Sequence, residues 1–170
     1  KLAVVSATVC AALITPAVGY LIMRVVLELE RTRQKLTVMA THDELTGVHN
    51  RRHFIDMVDN LMLAESGLSK LEREMIAVAV SAVNHCHYCL TAHGAAVRQR
   101  AGDPLMGELI AQNYRAANLP ARQKAMLDFA IKLTERPDQM EEADRAALRQ
   151  AGFSDRDIWD IAAVAGFFNM

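Results

Sequence analysis

The sequence predicts an all-α protein, and three observations carry that expectation. Apolar residues fill 52% of the 170 positions while aromatics fill only 5%, and a chain rich in Ala, Leu, Met and Val suits packed helices better than sheets. No convincing segment alternates apolar and polar residues with a period of two. Helix start and stop signals, by contrast, recur along most of the chain.

Taken in order, Ser69-x-x-Glu72 is a capping box: the Ser69 hydroxyl can bond the third helical amide while Glu72 reaches back. It opens a helix through Ile76 and Val80. His85 to Arg100 forms the next helix, ended by Gly102 and Asp103-Pro104. Pro104 to Arg115 is a third. Pro120 suits the first position of the amphipathic stretch Arg122 to Thr134. Glu141 to Gln150 is short and closed by Gly152, and Ser154 with Asp157 opens the last helix, Ile158 to Phe168.

The length allows one ordinary domain and an appendage. A formal net charge of -1 leaves no global basic field, which argues against a nucleic-acid partner. The three cysteines, Cys10, Cys86 and Cys89, are too few and too unevenly placed for a secreted disulfide framework. Cys10 lies in an apolar run as a small hydrophobe.

That run, Leu2 to Met23, holds 22 consecutive uncharged residues, long enough as a helix to span a hydrocarbon core of roughly 30 Å. Arg24, Arg31, Arg33 and Lys35 follow it, against Lys1 alone before it. The positive-inside rule then places the rest of the chain in the cytoplasm. The expectation is a membrane partner through residues 2–23, with the C-terminal domain cytoplasmic. Ile22, Val25, Leu29, Thr32, Leu36 and Met39 next recur at alternating spacings of three and four, as in a short coiled coil or one amphipathic helix. Domain boundaries follow: residues 1–23 a transmembrane helix, 24–40 a helical coiled-coil-like linker, 41–60 a connecting segment, and 61–170 the helical domain.

The connecting segment carries Asp43-x-Leu45-Thr46-Gly47 and then Asn50-Arg51-Arg52-x-Phe54. It resembles the opening segment of a GGDEF diguanylate cyclase domain, which in that family also follows a membrane helix and a coil. The resemblance covers about the first 55 residues. No Gly-Gly-Asp/Glu-Glu-Phe loop and no metal-binding aspartate follow, so no cyclase activity is implied.

Cys86, Cys89 and His93 carry the chemistry. On a helix they are related by steps of three and four and stack on one face. Cα atoms three apart on a helix lie about 5 Å from each other, within the range that a disulfide accepts. A helix N-terminus favours the thiolate, and a nearby histidine can take or relay a proton. Together these residues equip a thiol peroxidase or disulfide reductase. Two other readings stay open on the residues alone: half of a zinc site with His85, His87 or His93, and a pair of inert buried thiols.

Glu74, twelve positions before Cys86, completes the pattern E-x11-C-x-x-C-x3-H. That pattern resembles the AhpD-like alkylhydroperoxidases of the carboxymuconolactone decarboxylase superfamily, most closely the branch of peroxidase-related enzymes. The likeness extends over residues 61–170 and includes Leu68 to Ile76, Asn84-His85-Cys86-His87-Tyr88-Cys89, Ala92-His93-Gly94, Asn113 to Ala116, Ala151 to Asp155 and Phe167-Phe168-Asn169. Before the second cysteine, where typical AhpD has histidine, stands Tyr88, as in the peroxidase-related branch. Met170 falls inside what the family continues as a helix, so a C-terminally truncated domain is expected.

The resemblance implies an AhpD-like helical bundle and a role for each residue. Cys89 is expected to attack the hydroperoxide and Cys86 to resolve the product as a disulfide, with His93 and Glu74 as the proton relay. It also implies a hydroperoxide substrate, a thiol or dithiol reductant protein, a homo-oligomer, and neither cofactor nor metal. The alternative function is a membrane-attached signalling fragment of the diguanylate cyclase type with a non-catalytic or redox-sensing helical cap.

Overall fold

The computed structural model describes the backbone of residues 2–43 and 45–170, and the side chains of residues 16, 18–43 and 45–170. Among the described residues the regular structure is helical, and the lone β-type feature is an isolated antiparallel bridge between His42 and His49. The all-α expectation therefore holds. Contacts divide the chain into two units, Lys1–Asp56 and Met57–Met170.

The first unit begins with α1, Leu2–Thr41, a continuous helix that contains Pro16 and joins what the sequence suggested as separate segments 1–23 and 24–40. The membrane anchor expected at residues 2–23 requires correction. Among the described residues no helix is long and apolar enough to cross a membrane. Side chains 2–15 and 17 of that segment lie outside the described residues. The cytoplasmic placement of the C-terminal domain rested on that anchor and falls with it. Ile22, Val25, Leu29, Leu36 and Met39 are all exposed on α1.

A tight turn follows α1. The Asp43 carboxylate accepts from the hydroxyl of Thr46 at 2.9 Å and from the amides of Thr46 and Leu45 at 3.0 and 3.2 Å. These bonds, the Thr46 hydroxyl foremost, hold its carboxyl below the usual carboxylate range. Gly47 supplies the positive φ of 70° that reverses the chain. Asn50 then accepts from the His53 amide at 3.0 Å, while its own Nδ2 donates to the Ala40 carbonyl at 2.9 Å. It thereby caps α2, Arg51–Leu63, and ties the cap to the last turn of α1. The connecting segment 41–60 is thus a hydrogen-bonded turn plus most of α2, which continues into the second unit.

The second unit is built around α3, Lys70–Val83, whose residues Glu72 to Ser81 are all buried. Helices α4 (His87–Ala101), α5 (Met106–Asn113), α6 (Ala121–Glu135) and α8 (Asp155–Phe168) pack directly on α3, while α7 (Glu142–Gln150) packs on α6 and α8. Met75, Ile76, Ile110, Met126, Leu127, Leu148 and Ile161 are fully buried between them. Each contributes about 1.5–3 kcal/mol by leaving water, offset by the entropy of ordering the chain.

Local signals explain where these helices begin. Both capping boxes form: Glu72 N donates to Ser69 Oγ at 3.1 Å and Ser69 N to Glu72 Oε2 at 2.8 Å, with Ser154 and Asp157 repeating the arrangement at the start of α8. Glu72 is buried, and Arg122 compensates its charge at 2.7 Å while lying 3.6 Å over the Phe153 ring. Pro120 is the residue just before α6 rather than its first residue. Helices α4 and α5 cross closely: a Cβ on Gly107 would lie 2.8 Å from the Gly94 carbonyl oxygen, so only glycine fits there.

Candidate active site at the start of α4

Three residues reverse the chain between α3 and α4. Asn84 caps α3, its amide donating to Val80 O at 3.0 Å. His85 takes φ +54°, the one positive φ outside glycine among the described residues. Such a backbone is uncommon for an L-residue with a full side chain. It turns Cys86 into the N-cap position of α4, where the Cys86 amide reaches back to Ser81 O at 3.0 Å. The helix expected from His85 therefore starts at His87, two residues later.

This start places sulfur at the free amides of a helix. Cys86 Sγ accepts from the Cys89 amide at 3.4 Å, standing where an oxygen cap usually sits. Unpaired amides and the helix dipole both favour negative charge there, the setting that lowers a thiol's pKa. Cys86 and Cys89 are joined as a disulfide with Cα atoms 5.4 Å apart, inside the ordinary range. Both are half-buried. The first turn of α4 thus closes the bond without unwinding.

One turn further along the same face stands His93. Its Nδ1 lies 2.7 Å from Glu74 Oε2, a bond from α4 to α3. The Glu74 side chain is 10% exposed and that of His93 26% exposed. A carboxylate on Nδ1 fixes the imidazole tautomer with Nδ1 protonated and leaves Nε2 as the acceptor. Arg100, seven residues after His93, brings its Nε to 3.9 Å from the other Glu74 oxygen.

The end of α8 closes over this pair. The Phe168 ring meets the His93 ring edge-on, centroids 4.7 Å apart at 83°. Asn84 Nδ2 donates to Phe168 O at 3.0 Å and to Asn169 Oδ1 at 2.8 Å. Asn169 in turn donates to Thr134 Oγ1 at 3.1 Å. These bonds hold α8, the α3–α4 turn and α6 in one arrangement around His93.

All four residues singled out from the sequence thus lie at one place: Cys86 and Cys89 in a disulfide, and His93 and Glu74 in a hydrogen bond. Tyr88 is 82% exposed and His87 is also exposed. Arg100 and Phe168 were not expected at the site. Arg100 carries a faint signal, two helical turns from His93 on the same face, whereas Phe168 carries none short of tertiary structure. Among the described residues no group of three or more His, Cys, Asp or Glu side chains is arranged to hold a metal ion.

Comparison with known proteins gives the fold and site a context. A crystal structure of an uncharacterized peroxidase-related protein from Silicibacter sp. TM1040 is 64% identical, with a TM-score of 0.69, covering 70% of this chain and 62% of that one. A second, described as an alkylhydroperoxidase AhpD core and an uncharacterized peroxidase-related protein from Ralstonia eutropha JMP134, is 51% identical with a TM-score of 0.67. It covers 69% of this chain and 62% of that one. The chain therefore spans about three fifths of the length of both proteins. A protein of unknown function from Agrobacterium tumefaciens, 18% identical with a TM-score of 0.61 over 69% of this chain and 80% of that one, shares the fold. No curated protein matches. The diguanylate cyclase resemblance of the first 55 residues finds no support in these matches, and residues 51–60 of its segment fall within another family's match. Residues 51–113 match the model of the carboxymuconolactone decarboxylase family, and the chain is similar to peroxidase-related proteins with the AhpD core.

Proposed function

We propose that this protein is a thiol-dependent hydroperoxide reductase acting through Cys86 and Cys89, with His93 and Glu74 as its proton relay. The observation that carries the reading is the Cys86–Cys89 disulfide at the start of α4, one turn from a histidine held by a buried carboxylate at 2.7 Å. The similarity to peroxidase-related proteins supports it.

The cycle starts from the dithiol. His93 takes the Cys89 proton at Nε2 while Glu74 stabilises the resulting imidazolium. The Cys89 thiolate attacks the terminal oxygen of a hydroperoxide, the O–O bond breaks, and the alkoxide takes a proton to leave as an alcohol. Cys89 is then a sulfenic acid. The Cys86 thiol attacks that sulfur, forming the disulfide and releasing water. A thiol or dithiol reductant protein restores both thiols by exchange through a mixed disulfide, itself becoming oxidised. One hydroperoxide and two reductant thiols yield one alcohol, one water and one disulfide.

The test is hydroperoxide consumption coupled to a dithiol reductant, comparing the protein with its Cys89→Ser variant. The reading expects turnover that the substitution abolishes. Undiminished consumption by the variant contradicts it.

A further inference from the structure

A groove of about 460 Å³ runs between the end of α2 and the outer face of α8. Its walls are mainly apolar, with Met57, Leu61, Trp159 and Phe167 among them, and Arg73 also lines it. That volume lies within the range of about 300–1,000 Å³ typical of small-molecule sites. Neither sulfur, nor His93, nor Glu74 lines it, so the groove is separate from the thiol chemistry above.

Arg73 distinguishes this groove from a bare apolar face. It is 2% exposed. Its Nη1 donates to the Met62 carbonyl at 3.2 Å and its Nη2 to Ser66 Oγ at 2.7 Å. Its Nε is buried without a hydrogen-bond partner, and among the described residues no carboxylate pairs with this guanidinium. By contrast, the buried Glu72 of the same helix is compensated by Arg122 at 2.7 Å. A buried cation without a counter-charge is costly, and an anion beside it relieves that cost. Ser66 Oγ already accepts from Arg73 and from the Leu68 amide at 3.1 Å, which leaves its hydroxyl hydrogen to donate. Of the other charges on the walls, Asp160 is engaged by Arg156 Nε at 3.2 Å, and Glu65 is exposed to water.

We propose that the groove binds a monocarboxylate with an apolar chain. The carboxylate sits against Arg73 and Ser66, and the chain lies along Met57, Leu61, Trp159 and Phe167. The anion answers the uncompensated guanidinium, while the apolar chain takes 67%-exposed Trp159 out of water.

Trp159 is the only tryptophan of the chain, so its emission reports occupancy directly. The experiment titrates the full chain with decanoate, and in parallel with decanol and decyltrimethylammonium. A saturable blue shift is expected for decanoate, with the neutral and cationic analogues at least about tenfold weaker, as a charge-assisted contact requires. Arg73→Met should erase that preference. Because Arg73 is buried, two variants on less constrained positions accompany it: Ser66→Ala, weakening decanoate alone, and Ala163→Phe, filling the groove and abolishing the response to all three. Equal binding of decanoate and decanol overturns the proposal, as does an unchanged response in Ala163→Phe. So does a second copy of the chain filling the groove, seen as a dimer in sedimentation that decanoate does not dissociate.

Discussion

His93 Nδ1 and Glu74 Oε2 are 2.7 Å apart, a bond from the helix bearing the disulfide to the buried helix α3. Glu74 orients the imidazole and offsets its charge once protonated. Replacing it with Gln keeps the shape and a hydrogen bond but removes the charge. Glu74→Gln is expected to lower kcat/KM for hydroperoxide by about 10²-fold, the usual worth of a positioned acid–base pair. Circular dichroism should remain unchanged.

Phe168 reaches His93 from α8 and restricts where the ring can turn. Phe168→Leu keeps an apolar side chain but removes the edge-on contact, worth about 0.5–1.5 kcal/mol. The expected result is a loss of about 1 kcal/mol in denaturant unfolding, with a larger proportional fall in kcat than in KM. Asn84→Ala, which releases the clasp on Phe168 and Asn169, should reproduce the same split.

Asp157 holds the N-terminus of α8 and therefore the position of Phe168. Burial pushes its carboxyl up, but the amide and hydroxyl of Ser154, the Arg122 charge and the Gly67 backbone outweigh burial and leave it lowered. A lowered folded-state value contributes stability above the unfolded value of about 3.9. That stability is lost as the pH falls through the folded value. Asp157→Asn should cost about 1 kcal/mol near neutral pH, as other N-terminal cap losses do, and should flatten the acid limb of the stability profile measured by urea unfolding.

Tyr114 is buried at the C-terminal end of α5, and its hydroxyl donates to Asp128 Oδ1 at 2.5 Å. Burial first, and then the bond to Asp128, push its phenol well above the ordinary range. The stability it contributes is fully present below the unfolded value of about 10, and is lost as the pH rises toward the folded one. An alkaline ultraviolet titration should therefore show a late phase in which Tyr114 ionises only as the fold opens. Tyr114→Phe should remove the late phase and cost about 1 kcal/mol.

The sequence made the helical unit legible wherever the signal is local. Ser69 with Glu72, Ser154 with Asp157, Gly102 and Gly152 all act as the chain pattern implies, because caps and left-handed glycines depend on neighbours a few residues away. The start of α4 was misplaced because nothing in a histidine announces a positive φ; the reversal at His85 is imposed by how α4 packs on α3. Glu74 and His93 stand at a telling spacing, but their bond exists only because the two helices lie side by side. Arg73 and Phe168 left no pattern, and Arg100 only its spacing from His93, since their roles come from contacts distant in sequence. The uncharged run ending at Met23 illustrates the opposite error. A hydropathy run suggested a span, whereas among the described residues no helix is long and apolar enough to cross a membrane.

The most direct measurement counts free thiols in the reduced protein before and after one equivalent of hydroperoxide, with the sites mapped by mass spectrometry. The account predicts that two thiols disappear together and that both belong to the Cys86–Cys89 pair, with one alcohol released. Cys86→Ser should instead stop at a Cys89 sulfenic acid that a dimedone probe traps. A peroxide that leaves both thiols free, or a Cys89→Ser variant that still reduces it, contradicts the account.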